Sequence, residues 1–562
     1  MASLVPYKGP FGKAELIHLL RRTMFGVTKS DIKTLLGKSM DDVVRQLMVQ
    51  PSQTTKPLKT YFTTTNGVKN DNLDPTIPMG STWVDTPIAV GANPNPNGYR
   101  RISYKSWWTG LQITQTLSIF EKMVLFWHNH FATEDSVIDS SQMAYFTNIV
   151  LRKNALGNFR SLVKEITLDP GMLRYLNGER NKKSAPDENY GRELQELFCI
   201  GKRAGAAFTE DDVKAAAKVL TGWYVIYQQK DANNVTQNVN PRTEFAAANH
   251  DTSSKQFSSF YNNTVISRVP KTGEEKLMAE REIDDLISML LGTKECAKFL
   301  CRRLWTFFVY YDITPDIETN VIEPLAEILR QNYDIKETLI ALFTSDEFYK
   351  PINRGCMIKS PTDFHIGMLR QYGFPIPSNT EAEKMEIQYI FYAQMRNHIL
   401  NQGFDLGDPP NVAGWPAYYQ TPSFHEMWVD TSSYPLRKTS YESISRSEFS
   451  TGTNVFFDAN KNIKIKTNFI DFVKAFDNPS DPNDLINEAV ELLFGVPVTQ
   501  QVKDQLKSTY LLLGQASDYY WTDAYQTYIA NPSTSDPEAK RVPQMLIDLF
   551  IYMQGAAEFH LC

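Results

Sequence analysis

Ser118-Ile119-Phe120-Glu121-Lys122-Met123-Val124-Leu125-Phe126-Trp127-His128-Asn129-His130-Phe131 is an apolar helical run that finishes on two histidines. Side chains two residues apart on a continuous helix point about 200° away from each other. His128 and His130 can therefore face one metal ion only where the helix ends or the chain becomes extended. The polar Thr133-Glu134-Asp135 that follows places such an end here. Two imidazoles with a remote carboxylate suit Zn, Mn or Fe. The commoner fate of a buried histidine is a hydrogen bond to a backbone carbonyl.

Outward from this run the pattern is helical almost throughout residues 101–223: Trp107–His130, Ser141–Leu156, Phe159–Leu168, Pro170–Leu176, Asn189–Ile200 and Glu210–Leu220. Thr209-Glu210-Asp211-Asp212 carries a helix-start signal, and Asp169-Pro170 puts proline in a first turn. Upstream, residues 12–50 read as a helical hairpin, with Ser30 as the expected N-cap of its second helix. Residues 51–100 shift to Thr, Asn, Pro and Gly and read as a long loop.

Downstream, Tyr224-Val225-Ile226-Tyr227 and Thr264-Val265-Ile266 are candidate short strands flanking an Asn/Gln-rich stretch. Helical periodicity returns from Glu274 to Gly373. Proline and glycine keep 403–435 irregular, and residues from about 466 onward are again helical. The expected fold is mainly α, a large multi-helix domain with small β insertions and long loops. Its expected parts are a helical hairpin at 1–50, a loop-rich insertion at 51–100, a main helical domain at 101–440 with a β insertion near 224–272, and a helical extension at 441–562.

The chain has 562 residues, 42% of them hydrophobic and 22% charged, which places it with globular proteins. A formal net charge of -6 supplies no global field for phosphate backbones, so nucleic acid is not an expected partner. Arg21-Arg22, Arg302-Arg303 and Arg180-Asn181-Lys182-Lys183 are expected to be solvated helix ends. Five cysteines without a CxxC pair read as small buried hydrophobes rather than a disulfide or zinc framework. The first residues carry no basic stretch followed by an apolar run, and no segment is apolar enough for a transmembrane helix. Nucleotide-loop, zincin, esterase-elbow and c-type haem motifs are absent.

A second polar cluster is Asp187-Glu188-Asn189-Tyr190-Gly191-Arg192-Glu193-Leu194-Gln195-Glu196-Leu197-Phe198. Glu188 with Arg192, and Glu193 with Glu196, are spaced to share helical faces. They fit either an inter-helix carboxylate–guanidinium network or a catalytic carboxylate set. His250-Asp251 in a polar loop fits a proton shuttle or a ligand as well as an exposed loop. Leu220-Thr221-Gly222-Trp223 and Asp408-Pro409-Pro410-Asn411-Val412-Ala413-Gly414-Trp415-Pro416 read as turns anchored by Trp223 and Trp415, with an exposed carbohydrate platform as the alternative.

These motifs, with Leu19-Leu20-Arg21-Arg22-Thr23-Met24-Phe25-Gly26 and Lys359-Ser360-Pro361, occur in an order that resembles the bacterial domain of unknown function 1800 family over about residues 12–440. The resemblance implies an exported or cell-envelope bacterial protein. It also implies a neighbour in the genome, a sulfatase-like protein of the domain of unknown function 1501 family, as a partner. The chain departs from the pattern in its N-terminal residues, which leave a cytoplasmic location open. It departs again in the 51–100 insertion, and in Thr252-Ser253-Ser254 where the family favours glycine.

Two functions fit these residues. One is a helical enzyme, a metal-assisted hydrolase or oxidoreductase, with His128, His130, Glu188, Arg192, Glu193, His250 and Asp251 in its pocket. A divalent metal ion on His128, His130 and Glu193 would be its cofactor. The other is a binding or assembly scaffold, its loops contacting a protein or polymer surface while the same motifs lock helices together.

Overall fold

A computed structural model describes residues 3–562 apart from 53, 66–67, 204, 270, 378–381, 453–454 and 458–461. Met1 and Ala2, where the reading of the N-terminus begins, lie outside the described residues. The helices that position the motifs are α1 (Lys13–Thr23), α2 (Asn97–Ile113), α3 (Phe120–His130), α4 (Ser141–Lys153), α5 (Asn189–Glu193), α6 (Glu210–Val219), α7 (Glu275–Gly292), α8 (Lys294–Phe308), α9 (Pro361–Gln371), α10 (Ala382–Leu400), α11 (Ser433–Arg446), α12 (Pro482–Leu493) and α13 (Val542–Gly555). The fold is mainly α, with small two-stranded β insertions.

The stretch expected as one helix over Trp107–His130 is two. α2 starts at Asn97, and the chain breaks at Thr114–Ile119 before α3. Ser118 makes the break stable: its Oγ donates to Leu47 O at 3.1 Å and accepts from Phe120 N at 3.1 Å. A hydroxyl satisfying the first turn from outside is a helix start, not a helix interior.

A second correction lies upstream. Thr28, not Ser30, caps the helix Lys29–Leu35. Thr28 Oγ1 accepts from Asp31 N at 3.0 Å while Asp31 Oδ2 accepts from Thr28 N at 3.1 Å. That reciprocal pair satisfies two backbone donors where Ser30 would satisfy one. Thr209 and Asp169 cap their helices as expected.

The strands pair differently from the expectation. Trp223–Lys230 pairs antiparallel with Thr236–Phe245, with a bulge between Ile226 and Gln228, so the Asn/Gln-rich stretch is itself a strand. Val265–Ile266 pairs instead with Lys255–Gln256. The polar strand lacks apolar alternation because Pro241 alone among its ten residues is buried.

Buried side chains from Leu16 to Phe559 form one contiguous hydrophobic cluster. α2 lies along α10, and α11 packs against α13. The turn after α1 and helix α9 approach through two glycines: a Cβ on Gly26, whose φ is +75°, would stand 2.6 Å from Gly367 O. Only residues without a side chain allow that crossing. No described helix is long and apolar enough to cross a membrane.

Candidate functional site

α3 carries its two histidines into different surroundings. His130 Nε2–H donates to Phe198 O at 2.9 Å, and its ring lies among Phe126, Phe131, Phe159 and Phe299. His128 sits between Trp108 and Trp415, with ring centroids 5.0 and 5.6 Å away. His128 is 3% and His130 1% exposed. Burial pushes each imidazole down to about 3; Asp408 works against this at His128, and Arg303 reinforces it at His130. Both rings are therefore neutral near pH 7.

Between them, Asn129 holds the Asp408–Pro416 loop. Asn129 Oδ1 accepts from Trp415 N at 2.9 Å. Gly414 has φ +91°, and a Cβ there would stand 2.3 Å from Asn129 Oδ1 and 2.4 Å from Asn129 O. Arg303 Nη2 also donates to Asn129 O, at 3.4 Å.

The second motif starts as α5 and widens into a π-helical turn over Leu194–Cys199, which supplies the Phe198 carbonyl that receives His130. Its inner face is tied by neutral bonds. Tyr261 Oη donates to Gln195 Oε1 at 2.8 Å, and Tyr190 Oη lies 2.8 Å from Thr167 Oγ1. Its outer face is an ion-pair lattice: Arg192 to Glu210 at 2.6 Å, to Glu188 at 3.1 Å and to Glu196 at 3.6 Å, with Lys202 to Glu196 at 2.6 Å. Glu193 stands apart. It is half-buried, its Oε2 has no hydrogen-bond partner, and burial followed by the like charge of Glu196 raises its pKa.

His250 and Asp251 close a third junction. His250 Nδ1–H donates to Thr221 O at 2.8 Å, its Nε2 faces Glu282 Oε2 at 3.3 Å, and Asp251 N donates to Thr221 Oγ1 at 2.8 Å. Lys255 bridges Glu282 and Asp251 O, at 2.6 Å each. Within Thr252-Ser253-Ser254, where the family favours glycine, the Ser253 N–H donates to Asp251 Oδ1 at 2.7 Å.

The structure thus joins His130 to the second motif, Asn129 to the Trp415 loop, and His250-Asp251 to Thr221. It does not assemble His128, His130 and Glu193. Among the described residues no three His, Cys, Asp or Glu side chains are grouped to hold a metal ion. The two histidines diverge because α3 stays helical through His130, which preserves their roughly 200° separation. Trp223 and Trp415 are buried, which excludes the exposed carbohydrate platform.

Sequence reasoning passed over one cluster beside His128. Lys105 on α2 bonds Asp405 at 3.0 Å and also pairs with Asp408. Buried Asp135, whose Oδ2 has no partner, is pushed up to about 8 by burial, against the pull of Lys105. The signal available was Asp408 at the head of the Pro-Pro-Asn-Val-Ala-Gly-Trp motif, read only as a turn. The Arg21-Arg22 and Arg302-Arg303 pairs also differ from the expectation. Arg22 and Arg302 are buried, and Arg302 is held by Glu295 and Glu318.

A family model described as protein of unknown function (DUF1800) matches residues 18–534. The chain belongs to the DUF1800 family. The match runs past residue 440, so most of the C-terminal helices of this DUF1800 member are part of the family pattern. No curated protein and no solved structure matches the chain.

Proposed function

We propose that the protein is a binding or assembly scaffold in which the His, Asn, Glu and Arg motifs lock helices and loops into one rigid body. The observation that carries this reading is the bond from His130 Nε2 to Phe198 O, made by a neutral, fully buried ring. His250 and Asn129 are likewise bonded to backbone groups of other motifs. Arg192, Glu188 and Glu196 form a lattice on the surface, where such pairs are worth little individually but fix orientation. The partner implied by the family resemblance is the sulfatase-like protein of the domain of unknown function 1501 family.

A second reading, a helical hydrolase or oxidoreductase, draws on one observation. Glu193 is half-buried with an unpartnered oxygen and a raised pKa beside Arg192, properties suited to a general acid. The metal-assisted form of that reading has no ligand group among the described residues.

His128→Ala and Glu193→Gln separate the two. A scaffold loses stability in the first and nothing in the second, and folded protein of either kind captures the partner as the wild type does. A turnover that disappears in folded Glu193→Gln protein supports the enzyme.

A further inference from the structure

α11 and α13 pack side by side, and between them lies a groove of about 690 Å³. From α11 come Tyr434, Lys438, Tyr441, Glu442 and Arg446, which recur at helical spacing along one side. From α13 come Gln544, Asp548 and Tyr552, with Arg541 immediately ahead of the helix. The π-helical turn Lys507–Leu511 adds Thr509 and Tyr510. None of these residues belongs to the motif locks.

The four tyrosines are held differently. Tyr552 is 49% and Tyr434 38% exposed, so each helix presents a ring to solvent. Tyr510 lies beside Tyr552, with ring centroids 5.2 Å apart and planes at 37°, and the two make a bent aromatic shelf. Tyr434 is steadied by its hydroxyl, which donates to Gly555 O at 3.1 Å. Tyr441 is buried, and only a glycine at 555 leaves room for it: a Cβ there would stand 2.7 Å from Tyr441 Oη.

Planar polar groups stand beside the rings. Arg446 Nη1 donates to Asp548 Oδ1 at 3.0 Å, and Gln544 Nε2 donates to the same oxygen at 3.1 Å. One carboxylate oxygen thus orients a guanidinium from one helix and an amide from the other. Arg541 pairs with Glu538 at 3.4 Å, whereas Lys438 and Glu442 make no ion pair among the described residues.

This lining selects a ligand by its hydrogen-bonding character. Lys438, Arg446 and Arg541 can only donate, and Glu442 and Asp548 can only accept, so the groove asks for groups that do both. Hydroxyls do. An anionic ligand would meet two carboxylates, and a proline-rich peptide brings carbonyl acceptors without the N–H donors those carboxylates need. Both walls are helical, so no strand edge is available for an extended peptide. A sugar ring has an apolar C–H face to lay on a tyrosine, and neighbouring hydroxyls spaced to meet a carboxylate, amide or guanidinium in pairs.

We propose that the groove between α11 and α13 binds an uncharged oligosaccharide, with Tyr510 and Tyr552 stacking on a sugar ring and Gln544, Asp548 and Arg446 engaging its hydroxyls. Its volume is that of a small-ligand site, and exposed rings on both helices make room for more than one sugar. The buried Trp223 and Trp415 have no part in it. The site stands or falls independently of the motif locks.

A glycan microarray carrying neutral, N-acetylated and uronic acid oligosaccharides, probed with the full chain, tests the proposal. Calorimetric titration with the best-bound uncharged glycan and with a proline-rich decapeptide follows. Uncharged glycans are expected to bind and the peptide is not. Tyr552→Ala, at an exposed position, is expected to melt as the wild type does and to bind the glycan about fivefold or more weakly. Gln544→Ala weakens binding in the same direction, while Tyr520→Ala, which removes a ring 49% exposed outside the groove, leaves it unchanged. Absence of glycan binding overturns the proposal, as does binding of uronic acid glycans alone or of the peptide alone. Unchanged affinity in both groove variants overturns it as well.

Discussion

His130 Nε2 lies 2.9 Å from the carbonyl oxygen of Phe198, so the last residue of α3 is bonded to the π-helical turn that follows α5. The π turn leaves backbone acceptors without their usual intrahelical donors, and a side chain from another helix supplies one. His130 and the Phe198 carbonyl are therefore two halves of one joint.

Asn129 and Gly414 form a coupled pair at the neighbouring joint. Asn129→Ala removes the acceptor of Trp415 N and is expected to cost about 1–3 kcal/mol. Gly414→Ala combines a positive φ with contacts far inside van der Waals distance, and is expected to cost at least about as much. Urea unfolding of both singles and the double is expected to show less than the sum, because removing the Asn129 side chain relieves part of the Gly414 clash.

Acid should unlock α3. Both histidines hold pKa values of about 3, below the ordinary 6.5 of the unfolded chain. The unfolded state therefore binds more protons between those limits, and stability falls as pH drops from about 6.5 toward 3. Each tenfold change in proton affinity corresponds to about 1.4 kcal/mol. Melting temperatures measured from pH 7 to 4 should fall steeply, and less steeply in His130→Gln.

Glu193 should behave in the opposite sense. Its raised pKa means that the charged form is disfavoured in the fold, a cost that appears as pH rises through the carboxylate range. Glu193→Gln is expected to be neutral or slightly stabilising at pH 7, measured by thermal unfolding. Loss of stability there would mean that the carboxylate has a partner in the folded protein.

Arg192→Ala should cost less than about 1 kcal/mol despite its three acidic partners, because the lattice is solvent-facing. Added salt should shrink even that difference.

The helical class was legible because periodicity and caps act locally: Thr209, Asp169 and the Pro361 start can each be read within four residues. The divergence of His128 and His130 was legible only as a condition: a continuous helix turns them apart, but the helix end expected here left them free to converge, and α3 instead stays helical through His130. What each histidine meets was not legible. Phe198, Trp108 and Trp415 lie far away in sequence, and no local pattern announces a carbonyl freed by a π turn. The burial of Arg22 was hidden for a related reason. Its acceptors are the carbonyl of Asn353 and the sulfur of Cys356, groups that leave no charge pattern for a reader to match with an arginine.

Equilibrium urea unfolding of His130→Gln against the wild type at pH 7 is the most direct measurement. A lock between α3 and the π turn is expected to lose about 2–4 kcal/mol when the imidazole is replaced, through the lost bond and the disturbed aromatic packing. A variant as stable as the wild type would contradict the lock, and would return His130 to the candidates for catalysis.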